Sequence, residues 1–211
     1  MARIAVANIK GGVSKTTTAV HLAGEGAKRG PTLLIDGDTQ PNAASWAAWR
    51  RDAGREPNPT TIILRDRAIL DEGRLLSANY QTTIIDVGGR DNPGLRSALL
   101  LADMAIVPIG ASAFDASSMT DLQELIGIAK DFNHDLKVRV LLSRVDPRTK
   151  TTEAAEMREF LINEGLELLD TCICERVGFR RAIKSGATVE ELGDDHKAIE
   201  EMQSLYNEVL N

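Results

Sequence analysis

The chain has 211 residues, 43% of them hydrophobic and 27% charged, which suits one sizeable globular domain better than two small ones. Its 25 basic and 31 acidic side chains give a formal charge of −6, which excludes a protein that coats nucleic acid over its whole surface but allows a local basic patch. No apolar stretch approaches the ~18 residues of a membrane span. The opening MARIAVANIK lacks the core and cleavage site of a secretory signal, so a cytoplasmic protein is expected.

Seven short runs rich in Val, Ile and Leu recur along the chain: RIAVAN (3–8), TLLID (32–36), TTIIL (60–64), TTIID (82–86), MAIVPIG (104–110), KVRVLL (137–142) and LLDTCI (168–173). Stretches with helical spacing lie between them. Thr17, Val20, His21 and Gly24 share one stripe, and Met119, Leu122, Leu125, Ile126 and Ile128 recur at helical intervals. Strands that are apolar throughout and alternate with helices predict an α/β fold, a mostly parallel sheet of about seven strands with helices on both faces. Right-handed crossovers then bring strand ends and helix starts to one edge, where ligands bind.

The segment RDAGREPNPT (51–60) reads as the longest loop and is too short to separate domains, so residues 1–211 are expected to form one domain. Cys172 and Cys174 would lie on one face of a strand, ~7 Å apart, which suits buried thiols rather than a disulfide. His21, His134 and His196 match no ligand spacing. Trp46 and Trp49, three apart, are expected on the inner face of a helix, packing rather than stacking on bases.

The first run leads into IKGGVSKTTTAV (9–20). Strand, glycine turn and helix, in that order, form the context of a phosphate-binding loop, with backbone N–H groups and the positive helix end facing an anion. Gly11 and Gly12 let the main chain approach the phosphates, with Val13 and Ser14 completing the turn. Lys15 would reach the β- and γ-phosphates, the Thr16 hydroxyl would hold Mg²⁺, and Thr17 follows at the helix start. The usual G-x-x-x-x-G-K-[ST] pattern is incomplete, because Asn8 and Ser14 stand at its two glycine positions. A positive φ at Ser14 would strain the turn by about 1 kcal/mol.

What remains, K-G-G-x-x-K-T-T, resembles the deviant Walker A ATPases that include ParA and MinD, within the P-loop NTPase fold. The resemblance covers nearly the whole chain and is closest to short ParA-type partition ATPases, lacking the N-terminal helix-turn-helix of longer relatives. It implies ATP as the nucleotide and a sandwich homodimer in which Lys10 reaches the partner's phosphates. LLIDGDTQPNAASW resembles the segment in which such ATPases place a D-x-D-x-Q pattern. On that resemblance Asp38 orients the attacking water and Asp36 supports the magnesium shell. TTIIDVGGRDN ends an apolar strand in Asp86, which would hold a magnesium-bound water, and Gly88-Gly89 would form a switch where relatives often carry proline. The segment LSRVDPRTK (142–150) lies where related nucleotidases contact the base, and it departs from the guanine-reading N-K-x-D pattern, so adenine is preferred.

The resemblance further implies nonspecific DNA binding by the ATP dimer, nucleoid association, and a ParB-type centromere-binding partner that stimulates hydrolysis. Arg148, Lys150, Arg180, Arg181 and Lys184 are the candidate DNA contacts, with Arg176 beside them. The plain alternative is a solvated basic face. A MinD-like membrane cycle is disfavoured, because the tail DDHKAIEEMQSLYNEVLN is acidic and its Ile199, Met202, Leu205, Tyr206 and Val209 form a stripe suited to the core. A metabolic enzyme of the same superfamily and a non-catalytic adaptor are the remaining alternatives.

Overall fold

Among the residues described by the computed structural model (1–89, 93–110, 116–148 and 152–211), seven strands build one sheet. They are β1 (Ala2–Val6), β2 (Thr32–Asp36), β3 (Thr60–Ile63), β4 (Thr82–Asp86), β5 (Met104–Gly110), β6 (Lys137–Val145) and β7 (Leu168–Cys174). All pairings are parallel and the spatial order is β3-β2-β4-β1-β5-β6-β7. The seven apolar runs thus become the seven strands, with ends shifted by at most a few residues. The expected parallel α/β sheet is what forms.

The nine described helices are α1 (Lys15–Arg29), α2 (Asn42–Asp52), α3 (Ala68–Ser77), α4 (Pro93–Leu101), α5 (Ala116–Phe132), α6 (Glu153–Asn163), α7 (Val177–Lys184), α8 (Val189–Leu192) and α9 (His196–Val209). Alternation along the strands divides the core in two. Ala5, Ile85 and Val107 join Ile69, Leu95 and Leu125 on one face. Ile4, Ile84 and Ile106 join Val20, Trp46 and Leu205 on the other. Each such aliphatic side chain taken fully out of water contributes about 1.5–3 kcal/mol. Because both faces are covered, the strands are apolar at successive positions, which is why they read as unbroken runs. Among the described residues no helix is long and apolar enough to cross a membrane.

The acidic C-terminal helix packs as its stripe suggested. Met202, Leu205, Tyr206 and Val209 are buried, and Ile199 is partly so. Its Glu201 and Glu208, two turns apart on one face, reach the edge strand β7. Glu201 accepts from the Cys174 amide at 3.0 Å, and Glu208 accepts from the Asp170 and Thr171 amides at 2.6 and 2.7 Å and from the Thr171 hydroxyl.

A second long-range tie joins α2 to the segment before α8. Trp46 is fully buried and donates its indole N–H to the Ala187 carbonyl at 3.0 Å. Arg50, also fully buried, forks onto Glu191 at 2.6 and 2.7 Å. It also donates to the carbonyls of Pro57 and Gly186. Gly186, at φ 62°, lies so close that a Cβ would stand 2.2 Å from the Arg50 amide nitrogen.

Three smaller expectations are corrected. Trp49 is 44% exposed, because α2 turns only Trp46 of the pair inward. The loop assigned to 51–60 begins later, since α2 continues to Asp52. Of the two cysteines, neither in a disulfide, only Cys174 is fully buried.

Candidate functional site

The sheet register gathers the chemistry. Val6 pairs with Asp86, and Asp36 pairs with Asp86 from the other side, so the ends of β1, β2 and β4 lie side by side. The glycine loop leaves β1 at this edge and enters α1 at Lys15. Such an edge of a parallel sheet is where an open α/β fold binds its ligand.

Asn8, at the first missing-glycine position, is buried and braces the loop. Its side-chain amide donates to the Pro108 carbonyl at 2.7 Å, and its carbonyl oxygen accepts from the Lys10 amide at 2.8 Å. Ser14, at the second, has φ 68° and heads α1, its carbonyl accepting from Thr18 at 2.9 Å. The strain anticipated there is present. Ser14→Gly is therefore expected to raise stability by about 0.5–1 kcal/mol. A denaturant titration with an unchanged slope would measure it, and a loss of stability would refute it.

Lys15 is 7% exposed and its ammonium donates to the Lys10 carbonyl at 2.6 Å. Burial pushes its pKa below the ordinary 10.5, against the opposing pull of Asp86 and Asp38. Asp86 is 1% exposed and neither carboxylate oxygen has a hydrogen-bond partner of normal geometry. Burial pushes it up to about 7, with Asp36 and Asp38 adding to the rise while Thr16 and Lys15 oppose it. A buried carboxylate with no hydrogen bond of full geometry, next to a threonine hydroxyl and a lysine, is an incompletely met demand for positive charge. The donor set is all oxygen, as a hard divalent cation such as Mg²⁺ prefers, so these residues fit that ion.

Asp36 is fully buried and already engaged. Its Oδ1 accepts from the Asp38 amide at 3.1 Å and its Oδ2 from the Ala44 amide at 2.8 Å, capping the first turn of α2. Burial raises its pKa against those two bonds. Asp38 is half-buried, its Oδ1 accepting from the Gln40 amide at 3.1 Å. The glycine pair after β4 fits tightly between these parts. A Cβ on Gly88 would stand 2.9 Å from Asp38 Oδ1, and one on Gly89 would stand 2.8 Å from the Ile9 carbonyl oxygen.

A cleft of about 490 Å³ opens here, lined among others by Gly11, Gly12, Lys15, Thr16, Asp38 and Arg180. Lys10 and Val13 are half-buried on the same loop, and Thr17 lines the cleft at the start of α1. Of the other proposed DNA contacts, Arg148, Arg181 and Lys184 are not among its lining residues. Arg148 is exposed and paired with Asp146 at 2.7 Å. Arg181 is paired with Asp194 at 2.6 Å, and Lys184 is exposed on α7. Lys150 lies outside the described residues. Arg176 lines the cleft and forms an ion pair with Glu201 at 2.7 Å.

Three residues at the site escaped the sequence reading. Ser143, fully buried, donates to the Val13 carbonyl at 3.0 Å, and Arg144 donates to the Gly12 carbonyl at 2.8 Å. Arg65 donates to the Asp36 carbonyl at 2.6 Å. The only sequence signal was the position of LSRVDPRTK after the sixth strand.

Over residues 4–189 the sequence matches the CobQ/CobB/MinD/ParA nucleotide binding domain. It is 27% identical over 210 residues to the maintenance of carboxysome distribution protein A of Halothiobacillus neapolitanus, covering 98% of this chain and 95% of that protein. It is 26% identical over 237 residues to the chromosome-partitioning ATPase Soj of Thermus thermophilus, covering 99% and 95%. Among solved structures, the septum site-determining protein MinD of Pyrococcus horikoshii, complexed with Mg-ADP, matches with a TM-score of 0.75 at 20% identity, over 98% of this chain and 94% of that one. With its glycine loop and three aspartates gathered at one sheet edge, the chain belongs to the CobQ/CobB/MinD/ParA family of nucleotide-binding domains, alongside ATPases of the ParA and MinD type.

Proposed function

We propose that this chain is a Mg²⁺-dependent ATPase of DNA segregation, whose nucleotide state sets the pairing of two copies and thereby their grip on DNA. The observation that carries the reading is the buried Asp86 carboxylate with no hydrogen bond of full geometry, set among Thr16, Lys15 and Asp38. Thr16 and Asp86 would hold the magnesium ion, and Asp36 would support them by fixing the start of α2. When bound, the ion would neutralise charge on the β- and γ-phosphate oxygens. Lys15 would leave the Lys10 carbonyl for the phosphates. Asp38 would orient the attacking water.

Lys10 would serve the nucleotide of the other subunit, as its family resemblance implies, which makes pairing depend on ATP. Two weak basic faces on one rigid dimer bind DNA far better than one, by about 10²-fold or more. Arg180, exposed at the cleft rim, with Arg148, Lys150, Arg181 and Lys184, would supply that face. Hydrolysis, stimulated by a ParB-type partner, would release it. A second reading, positioning of a protein cargo, is favoured by the similarity to the carboxysome distribution protein.

The test measures Mg²⁺-dependent ATP hydrolysis and ATP-dependent DNA binding at low salt. Asp38→Ala is expected to lose about 10²-fold or more in hydrolysis while keeping the ATP-dependent dimer. Arg180→Ala and Arg181→Ala should weaken DNA binding, and equal binding by all variants would remove those arginines. Absence of turnover with DNA and partner present would favour an adaptor.

A further inference from the structure

We propose that Arg144 is a positioning residue for the phosphate-binding loop, working with Ser143 to aim the loop's amides before nucleotide arrives. The assignment rests on the ATPase reading and names a part of that site which the motif does not contain.

Three successive observations carry it. Ser143 and Arg144 lie near the end of β6 and donate to two adjacent loop carbonyls, Val13 at 3.0 Å and Gly12 at 2.8 Å. Ser143 is fully buried, and its one O–H is shared between the Val13 carbonyl and the Ile109 carbonyl, the latter at 3.1 Å, which places the loop against the end of β5. Arg144 has φ 52°, left-handed backbone that a bulky side chain rarely adopts, and its other nitrogen is held by Glu175 at 3.2 Å. The ladder to β7 slips between Leu142 and Val145, where these residues sit. Strand regularity is given up there, and what results is a guanidinium laid over Gly12.

The physical consequence follows from the peptide bond. A trans peptide sets its C=O and N–H antiparallel, so holding the carbonyls of Gly12 and Val13 fixes the directions of the Val13 and Ser14 amides. Lys15 holds the Lys10 carbonyl and Asn8 holds the Lys10 amide, so the loop is also tied at its first residues. Preorganised donors bind an anion without paying to order themselves at that moment. Gly12 itself needs φ 74°, a conformation that glycine alone adopts readily, and the arginine keeps it there.

Calorimetric binding of Mg²⁺·ADP and of AMP to the full chain tests this. Arg144→Ala is expected to weaken ADP binding about tenfold, the worth of one charge-assisted hydrogen bond, with AMP changed less than about twofold and the melting temperature unchanged. Arg144→Lys, which can still donate to the Gly12 carbonyl, should recover most of the loss. Arg144→Met, which keeps the side-chain stem and has no donor, makes the same test if the alanine variant does not fold. Unchanged ADP affinity in Arg144→Ala and Arg144→Met overturns the assignment, and so does an equal loss for ADP and AMP. A parent chain that binds no ADP overturns the ATPase reading itself, and this assignment with it.

Discussion

Glu191→Ala is expected to destabilise the folded chain by about 3–5 kcal/mol, because it leaves the Arg50 guanidinium charged and fully buried without its counter-ion. Arg50 keeps its bonds to the Pro57 and Gly186 carbonyls, but these are dipoles and cannot replace a carboxylate held at two points. Arg50→Met combined with Glu191→Ala should recover much of the loss, since the unpaired charge goes with its partner. Denaturant midpoints of the two single variants and the double variant make the cycle. A double variant no better than Glu191→Ala alone would refute the pairing argument.

The same pair predicts a pH dependence. Burial works against the Glu191 charge, but the Arg50 and Thr188 bonds outweigh it and hold the carboxyl below the ordinary 4.5. A lowered carboxyl stabilises the fold above its unfolded value, and that contribution fades as acid titrates the folded group. The penalty of Glu191→Gln should therefore be full at pH 7 and shrink below about pH 4.

Asp86 carries the opposite sign. Its rise from the ordinary 3.8 to about 7 makes its ionised form costly in the folded, ligand-free chain. That cost is absent below about pH 4, grows through the window up to pH 7 and is constant above it, reaching about 4 kcal/mol. Asp86→Asn is expected to raise ligand-free stability by up to that amount at pH 8 and by close to nothing at pH 4. Unfolding free energies of parent and variant across pH 4–8 decide it, and a pH-independent difference would contradict the burial argument.

These two carboxylates mark how far the sequence could be read. Asp86 was visible because it ends an apolar strand, and strands buried on both faces write themselves as unbroken Val and Ile runs. The glycine loop was visible because its residues are local. Arg50 was not, since WAAWRRD presents two adjacent arginines and only the contact with Glu191, 141 residues away, says which one turns inward. Trp49 misled for a related reason: spacing of three places two residues near one helix face, but the width of the buried stripe on α2 admits only Trp46. Asp36 was given to the magnesium shell on resemblance alone, and its hydrogen bonds to Asp38 and Ala44 became legible only once α2 was placed. Ser143 and Arg144 reach the loop from the sixth strand, a neighbourhood that no local pattern encodes.

The glutamates of α9 have a consequence for assembly. With the Asp170, Thr171 and Cys174 amides already taken, those three donors of the seventh strand are closed to a neighbouring molecule. The opposite border, four residues of β3, can join two molecules about a twofold axis, and that union closes on itself. Continuing the sheet past β7 into another molecule would first have to displace the α9 glutamates from these amides.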